Sequence, residues 1–465
     1  MKEKKDKQKN KNVNPYLLLF LVIVACGLLS YVISPGAFIR ETVNGKTVID
    51  PTSYHVVERT PVSFLDFFKA VPEGLIGAGN VVFLILIVGG SIEVLNRSGA
   101  LGMGINKLID KFGDKGNAMI VIIMIFFSIL GGFLGWVEAA VPFVPIIIPI
   151  IIALGYDAMT AAAVVILGLL VSFAVGPTNV YTVGVAHEVA ELEMFSGFQF
   201  RTVVYLVFVL TAILYTLRYA RKVKKNPELS LTKDVDTSKM AIDLTQFEGK
   251  DFTTGQRLSL LALLIIFVIV MYGMLKLGWG MNEMTGMFFL FAIICGALNK
   301  MGVDGTTNAI IDGIKGAVGG AMIVGVARGV QWILETGGVI DPIINALSKL
   351  ISGWPTTLSA IGIVIIVSLL NGLVPSGSGK AVALMPLIIP LADIVGLSRQ
   401  TAILAYQFGD GITNMFWFTY GTLLMFLGFA NVPLKKWYKF LWPLGIILTV
   451  FAFIFLAIAV KINYV

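Results

Sequence analysis

Apolar runs, most of them long enough to enter a bilayer, alternate with short polar segments along the whole chain. The runs cover 15–33, 77–95, 117–134, 139–154, 158–190 and 198–219, then 258–277, 285–298, 319–334, 357–370, 381–395, 401–427 and 440–460. The pattern predicts an all-α polytopic membrane protein. Residues 64–76 and 304–317 are amphipathic, and the second of these is expected to separate the spans on either side of it. Two runs contain helix breakers. Gly176-Pro177-Thr178-Asn179 interrupts 158–190, and the stretch Gly409 to Asn414 interrupts 401–427. Two pairs of apolar arms enclose a polar tip: 117–154 around Trp136-Val137-Glu138, and 357–395 around Pro375-Ser376-Gly377-Ser378-Gly379-Lys380. Polar, glycine-rich chain at that depth is tolerated only in protein or beside a wet cavity, so each pair reads as a re-entrant hairpin.

Composition supports the membrane reading. The chain is 57% hydrophobic and 14% charged, with 17 prolines and 49 glycines, and its mean hydropathy is +0.87. A net charge of +7 does not point to nucleic acid, because Lys and Arg cluster beside the apolar runs. Cys26 and Cys295 lie inside such runs and read as buried thiols rather than a disulfide or metal site. The run 15–33 has no small-x-small cleavage pattern after it, which predicts a first span rather than a removed leader.

The chain repeats. An offset of 239 aligns 71–110 with 310–349, one of 241 aligns Pro145 and Pro149 with Pro386 and Pro390, and one of 235 aligns Thr178-Asn179 with Thr413-Asn414. The organisation is then a cytoplasmic tail (1–14), a first repeat (15–220), a charged cytoplasmic linker (221–254) and a second repeat (255–465). Basic residues at 96–116, 221–225 and 435–439 predict inside positions. The run 285–298 adds a crossing where the first repeat has the polar loop 36–62, and this inverts the second repeat. The count is nine spans and two opposed hairpins, with the N-terminus cytoplasmic and the C-terminus outside, in the plasma membrane.

Opposed hairpins and broken helices are the architecture of secondary transporters. A break frees backbone N–H groups at one half-helix for an anion and C=O groups at the other for a cation. Thr178, Asn179, Ser376, Thr413 and Asn414 supply neutral oxygens that can cradle sodium, although Ser and Thr in helices also bond their own backbone. Glu138, Lys380 and Asp410 are charges at membrane depth, where ionised groups are functional by default and usually paired. Lys380 can pair with either acid as a gate or structural pair, or can face a substrate carboxylate. Arg328 and Glu335, seven residues apart on one helix face, read as a scaffold or interface pair. Glu93, Asp157 and Asp393, near segment ends, are expected to be solvated, and His55 and His187 to sit in outside loops.

The ordered motifs Trp136-Val137-Glu138, Gly176-Pro177-Thr178-Asn179, Pro375-Ser376-Gly377-Ser378-Gly379 and Gly409-Asp410-Gly411-x-Thr413-Asn414 resemble the C4-dicarboxylate anaerobic carrier family. The closest branch is the one labelled basic amino acid antiporters. The resemblance covers about 15 to 460. It implies a homodimer in lipid with a static scaffold and a mobile transport domain, moving as an elevator, and small-molecule and sodium sites at the tips and breaks. Carried over, the site residues are Trp136, Glu138, Gly176, Thr178, Asn179, Ser376, Gly377, Ser378, Lys380, Asp410, Thr413 and Asn414. The family's branches differ in substrate. One obvious cation against Glu138 and Asp410 favours an amino acid over a dicarboxylate or other organic acid, with sodium ahead of protons as coupling ion and no cofactor. An intramembrane enzyme and a channel are the distant rivals: Gln407 stands where the aspartyl-protease pattern needs glycine, no HExxH or GxSxG occurs, and hairpins from both faces suit alternating access.

Overall fold

A backbone in lipid must satisfy its own polar groups, and this chain does so almost entirely with helices. The computed structural model describes residues 14–43, 46–50, 52–238, 240, 244–351 and 354–465, so the basic tail lies outside it. The first repeat holds α1 (Pro15–Val32), α2 (Asp66–Gly77), α3 (Gly79–Arg97), α4 (Ala100–Phe112), α5 (Gly116–Ile129), α6 (Val144–Ala153), α7 (Ala158–Ala174), the short α8 (Val185–Val189) and α9 (Phe198–Lys225). The second holds α10 (Thr254–Lys276), α11 (Met281–Leu298), α12 (Gly302–Thr336), α13 (Ile340–Ile351), α14 (Thr356–Asn371), α15 (Gly377–Ile394), α16 (Arg399–Thr413), α17 (Gly421–Phe429) and α18 (Leu434–Lys461). Local chemistry sets many of the starts. The Asn14 side chain caps α1 with Pro15 at its first position, and Thr253 and Gln256 form a capping box on α10. The polar loop between α1 and α2 carries two small antiparallel ribbons, β1 (Gly36–Ala37) with β4 (His55–Val56) and β2 (Arg40–Val43) with β3 (Lys46–Ile49).

Nine helices among the described residues are long and apolar enough to cross a membrane. The number matches expectation, but the membership differs. The hairpin arms Gly116–Leu134 and Gly377–Ile394 are in the set, whereas the broken helices fall short because each is split into two pieces. The amphipathic piece 304–317 does not separate two spans. It is continuous with the following run as the 35-residue helix α12. No proline interrupts it, and its glycines are used for close packing. A Cβ at Gly313 would strike the backbone of Gly89 on α3, and one at Gly329 would strike Ala70 on α2.

The helices fall into two sets. In one, α12 packs along α1, α2 and α3, and α11 packs on α3 and α10. In the other, α7 packs on α5, α6 and α9, while α16 packs on α7, α14, α15 and α18. The second set contains both hairpins and both breaks. Its central helices α7 and α16 are almost entirely buried, with Phe208 and Phe408 stacked at 5.7 Å. The two sets meet at α17, the far half of the second break, which packs more on α12 of the other set than on any helix of its own.

Several end-of-segment residues are more engaged than expected. Asp157 is not a solvated acid. Its Oδ1 caps α7 through Thr160 N at 2.9 Å, and its Oδ2 accepts from Tyr219 (2.7 Å), Ser230 (2.6 Å) and Thr232 (3.0 Å), tying the linker to the bundle. His187 is fully buried rather than in a loop, and its Nδ1 accepts from Phe195 N at 3.0 Å. Glu93 and Asp393 do sit near the surface, paired with Arg97 and Arg399. Cys26 and Cys295 are buried free thiols.

Candidate functional site

The two breaks align at one offset but differ in length. By the 235-residue offset, Pro177 faces Ile412. Proline removes a helix donor and disfavours helical geometry at the residue before it, so α7 stops at Ala174. Ile412 keeps its N–H, so α16 runs on to Thr413 and the true break is 414–420. Gly409, Asp410 and Gly411 are therefore helical, not part of an interruption. The glycines let helices touch: a Cβ on Gly411 would fall on Ala174 of α7, and one on Gly409 would lie 2.6 Å from Val364 O of α14. The second tip is also shorter than its motif. Gly377 to Lys380 form the first turn of α15, capped by the Ser376 hydroxyl, which accepts from Gly379 N at 3.2 Å.

This geometry buries Lys380 and Asp410 together. Their side chains are 3% and 1% exposed, with Lys380 Nζ 2.7 Å from Asp410 Oδ1 in a buried ion pair. Asn371, at the end of α14, holds both. Its Oδ1 accepts from Lys380 Nζ, and its Nδ2 donates to Asp410 O at 2.8 Å, Thr413 Oγ1 at 2.9 Å and Asn414 Oδ1 at 2.9 Å. Asp410 Oδ2 finds no donor among the described residues, and neither does Thr182 Oγ1 on the far half of the first break. Both border Gly377, whose carbonyl accepts from Tyr406 OH at 2.6 Å; a Cβ there would lie 3.3 Å from Asp410 Oδ2 and 3.1 Å from Thr182 Cγ2.

In front of that pair lies a cavity of about 500 Å³ between the two tips. Trp136 and Glu138 line it from the first tip, and Ser376, Gly377 and Ser378 from the second. Asn414, Tyr420 and Thr422 line it from the second break, and Arg328 from α12. Glu138 Oε1 accepts from Thr422 Oγ1 at 3.2 Å and Tyr420 OH at 3.5 Å, and no cation pairs with it among the described residues. Arg328 does not pair directly with Glu335. It donates to Gln331 Oε1, and Gln331 Nε2 donates to Glu335 at 2.6 Å.

The remaining expected site residues sit behind the wall. Thr178 Oγ1 donates to Phe133 O at 2.9 Å, Asn179 is buried and caps the turn at 180–184, and Thr413 Oγ1 donates to Gly409 O at 2.7 Å. Gly176 O accepts from Gln407 Nε2 at 2.8 Å, and Gln407 Oε1 accepts from the buried Arg201 at 2.5 Å. Sequence reasoning missed Asn371, Thr182, Tyr420 and Thr422. The sequence carried signals for three of them, an asparagine closing an apolar arm and Tyr420-Gly421-Thr422 opening the last half-helix, and none for Thr182.

A multi-spanning helical membrane protein, with two hairpins and two broken helices around a charged central cavity, falls in the class of membrane transporters. The chain belongs to the C4-dicarboxylate anaerobic carrier (DcuC) family, whose model matches residues 14–461. It is 30% identical over 467 residues, 91% of each chain, to the Escherichia coli (strain K12) protein described as "Putative basic amino acid antiporter YfcC". It is 31% identical over 409 residues to an uncharacterised protein of Haemophilus influenzae, covering 87% of this chain and 80% of the relative. Among solved structures it is similar to the Alcanivorax borkumensis YdaH transporter, at 16% identity and a TM-score of 0.41, with 97% and 98% of the two chains covered. It is also similar to Neisseria gonorrhoeae MtrF, described with a class of antimetabolite efflux pumps, at 14% identity and a TM-score of 0.44, with 97% and 96% covered.

Proposed function

We propose that this protein is a secondary active transporter of amino acids, basic ones foremost, coupled to sodium ahead of protons and working by alternating access in the plasma membrane. The observation that carries this reading is the division of charge at the site. Lys380 is committed to Asp410, whereas Glu138 faces the cavity with two hydroxyls as its partners. A substrate ammonium satisfies Glu138, and the rings of Trp136, Tyr181, Trp279 and Tyr420 in the same wall suit a cation. A dicarboxylate would find a single cationic side chain in that wall, Arg328, for its two carboxylates, and would face the Glu138 carboxylate as well. The buried oxygens Asp410 Oδ2 and Thr182 Oγ1, both without donors, support a coupling-ion site beside Gly377, where an arriving ion would compete with Lys380 for Asp410. The division of the helices into two sets, joined chiefly where α17 packs on α12, supports an elevator motion of the hairpin-bearing set against a scaffold; the homodimer is carried over from the family resemblance.

Uptake into proteoliposomes tests the reading. Labelled lysine or arginine should enter saturably, require a sodium gradient, and enter at least tenfold more slowly through Glu138→Gln. Saturable uptake of a C4-dicarboxylate with no competition from amino acids would replace it with the carrier function of the family's name. If sodium replacement changes nothing, coupling passes to protons or to exchange. Each net charge moved across the membrane feels roughly 2.3 kcal/mol per 100 mV, so an imposed voltage separates electrogenic symport from neutral exchange.

A further inference from the structure

The cavity has a second charged wall that the hairpins do not supply. Arg328 lies on α12 in the helix set that contains neither hairpin, yet it lines the same space as Glu138. A chain of contacts shows how near the two walls come. Thr422 donates to Glu138 Oε1 at 3.2 Å. Its neighbour Gly421 packs on α12 so closely that a Cβ there would lie 2.8 Å from Val324 Cα and 3.2 Å from Ala327 Cβ. Val324, Ala327 and Arg328 share one helix face at three- and four-residue spacing. The Arg328 stem passes Gly77 at the end of α2, where a Cβ would lie 3.5 Å from Arg328 Cγ. Its guanidinium donates to the neutral Gln331 and has no carboxylate partner among the described residues. An arginine fork with unused donors beside a water-accessible space is built to take a carboxylate in two hydrogen bonds.

We propose that Arg328 is the substrate's carboxylate ligand, so that Glu138 on the hairpin tip and Arg328 on α12 grip the two ends of a zwitterion where the two helix sets meet. The assignment rests on the amino acid reading above and adds to it. The substrate class becomes one that carries an ammonium and a carboxylate on the same small molecule. Ligands that carry a single pole hold one helix set and leave the other free. The carboxylate contact depends on how the hairpin-bearing set sits against α12, so it is made where the tip lies beside Arg328 and is lost when the tip moves away.

The test compares lysine with its methyl ester and with cadaverine, the same skeleton without the carboxylate, as competitors of labelled lysine uptake by the full-length protein in proteoliposomes. Wild type should bind lysine about thirtyfold or more tightly than either analogue, the ratio expected for losing a charge-assisted pair. Arg328→Gln should abolish that ratio by weakening lysine alone, and Arg328→Lys should restore part of it. If Arg328→Gln fails to fold, the ester and amine comparison on wild type still decides, since equal competition by all three overturns the assignment. Lysine that competes normally while Arg328→Gln keeps the full ratio overturns Arg328 and leaves the amino acid reading standing. If no amino acid competes with wild type, both readings fail together.

Discussion

The two repeats share a skeleton and have divided the chemistry. By their offsets, Val175 of the first stands where the second has Asp410, and Ala139 and Leu130 stand where it has Lys380 and Asn371. The first repeat thus has apolar side chains at the three positions from which the second builds a sealed ion pair. It carries its own charge, Glu138, where the second has Gly379, and there the carboxylate lines the cavity. Buried pairs are weak evidence for stability, because desolvation can exceed the attraction, whereas breaking one is severe. The second repeat therefore houses a group whose disturbance is felt by the whole fold. The charge in the first repeat can meet substrate with little structural consequence.

The largest expected effect tests that asymmetry. Asp410→Ala strands Lys380 in a dry site and should cost roughly 3–5 kcal/mol of stability, read as a lowered Tm of the detergent-purified protein. The paired change Lys380→Met with Asp410→Leu should recover most of that Tm while uptake stays abolished. Full uptake by the double variant would make the pair a structural element only. A smaller effect probes the breaks themselves. Ile412→Pro puts the first repeat's breaker into the second and should cost about 3 kcal/mol, whereas Pro177→Ala should stay within about 1 kcal/mol. Equal losses would mean that Pro177 does not set the end of α7.

The helix entries give the next step down. Asp157 and Ser398 are equivalent N-caps, with Thr160 and Thr401 three residues on; beyond its cap Ser398 donates to Tyr464 O, whereas Asp157 holds Tyr219, Ser230 and Thr232. Ser398→Ala should cost about 1 kcal/mol and Asp157→Ala clearly more, since it leaves four hydroxyls, those of Thr160, Tyr219, Ser230 and Thr232, without their acceptor. The smallest effect lies in the linker. The ammonium of Lys436 holds the Asp234 carboxyl below its usual range. Its contribution is present above the ordinary carboxylate pKa and is lost as pH falls through the lowered value. Asp234 is half exposed, so the loss should stay below about 1 kcal/mol, seen as a shallower acid-side fall of Tm in Asp234→Asn.

Much of this was legible in the residues because membrane chains advertise their punctuation. Hydropathy marked the spans, and Gly176-Pro177 marked the first break where it occurs. The second break was displaced because Gly409 and Gly411 read as breakers, while in the fold they are surfaces on which α14 and α7 press. The change from an amphipathic to an apolar pattern at 318 divided α12, which in the fold is one continuous helix. The pairing of Lys380 with Asp410 rather than Glu138 could not be read from spacing. It is decided by Asn371, a single amide on a third helix. Arg328 was seen but assigned to Glu335, since a helix-face argument cannot tell which neighbours stand across a cavity.

Thermal stabilisation of purified wild type and Glu138→Gln by lysine, arginine, succinate and fumarate tests the division of charge most directly. On that division, the amino acids should raise the Tm of wild type and the dicarboxylates should not. Glu138→Gln should lose that response while keeping nearly the wild-type Tm without ligand. Stabilisation of both proteins by the dicarboxylates, with no response to the amino acids, would contradict it.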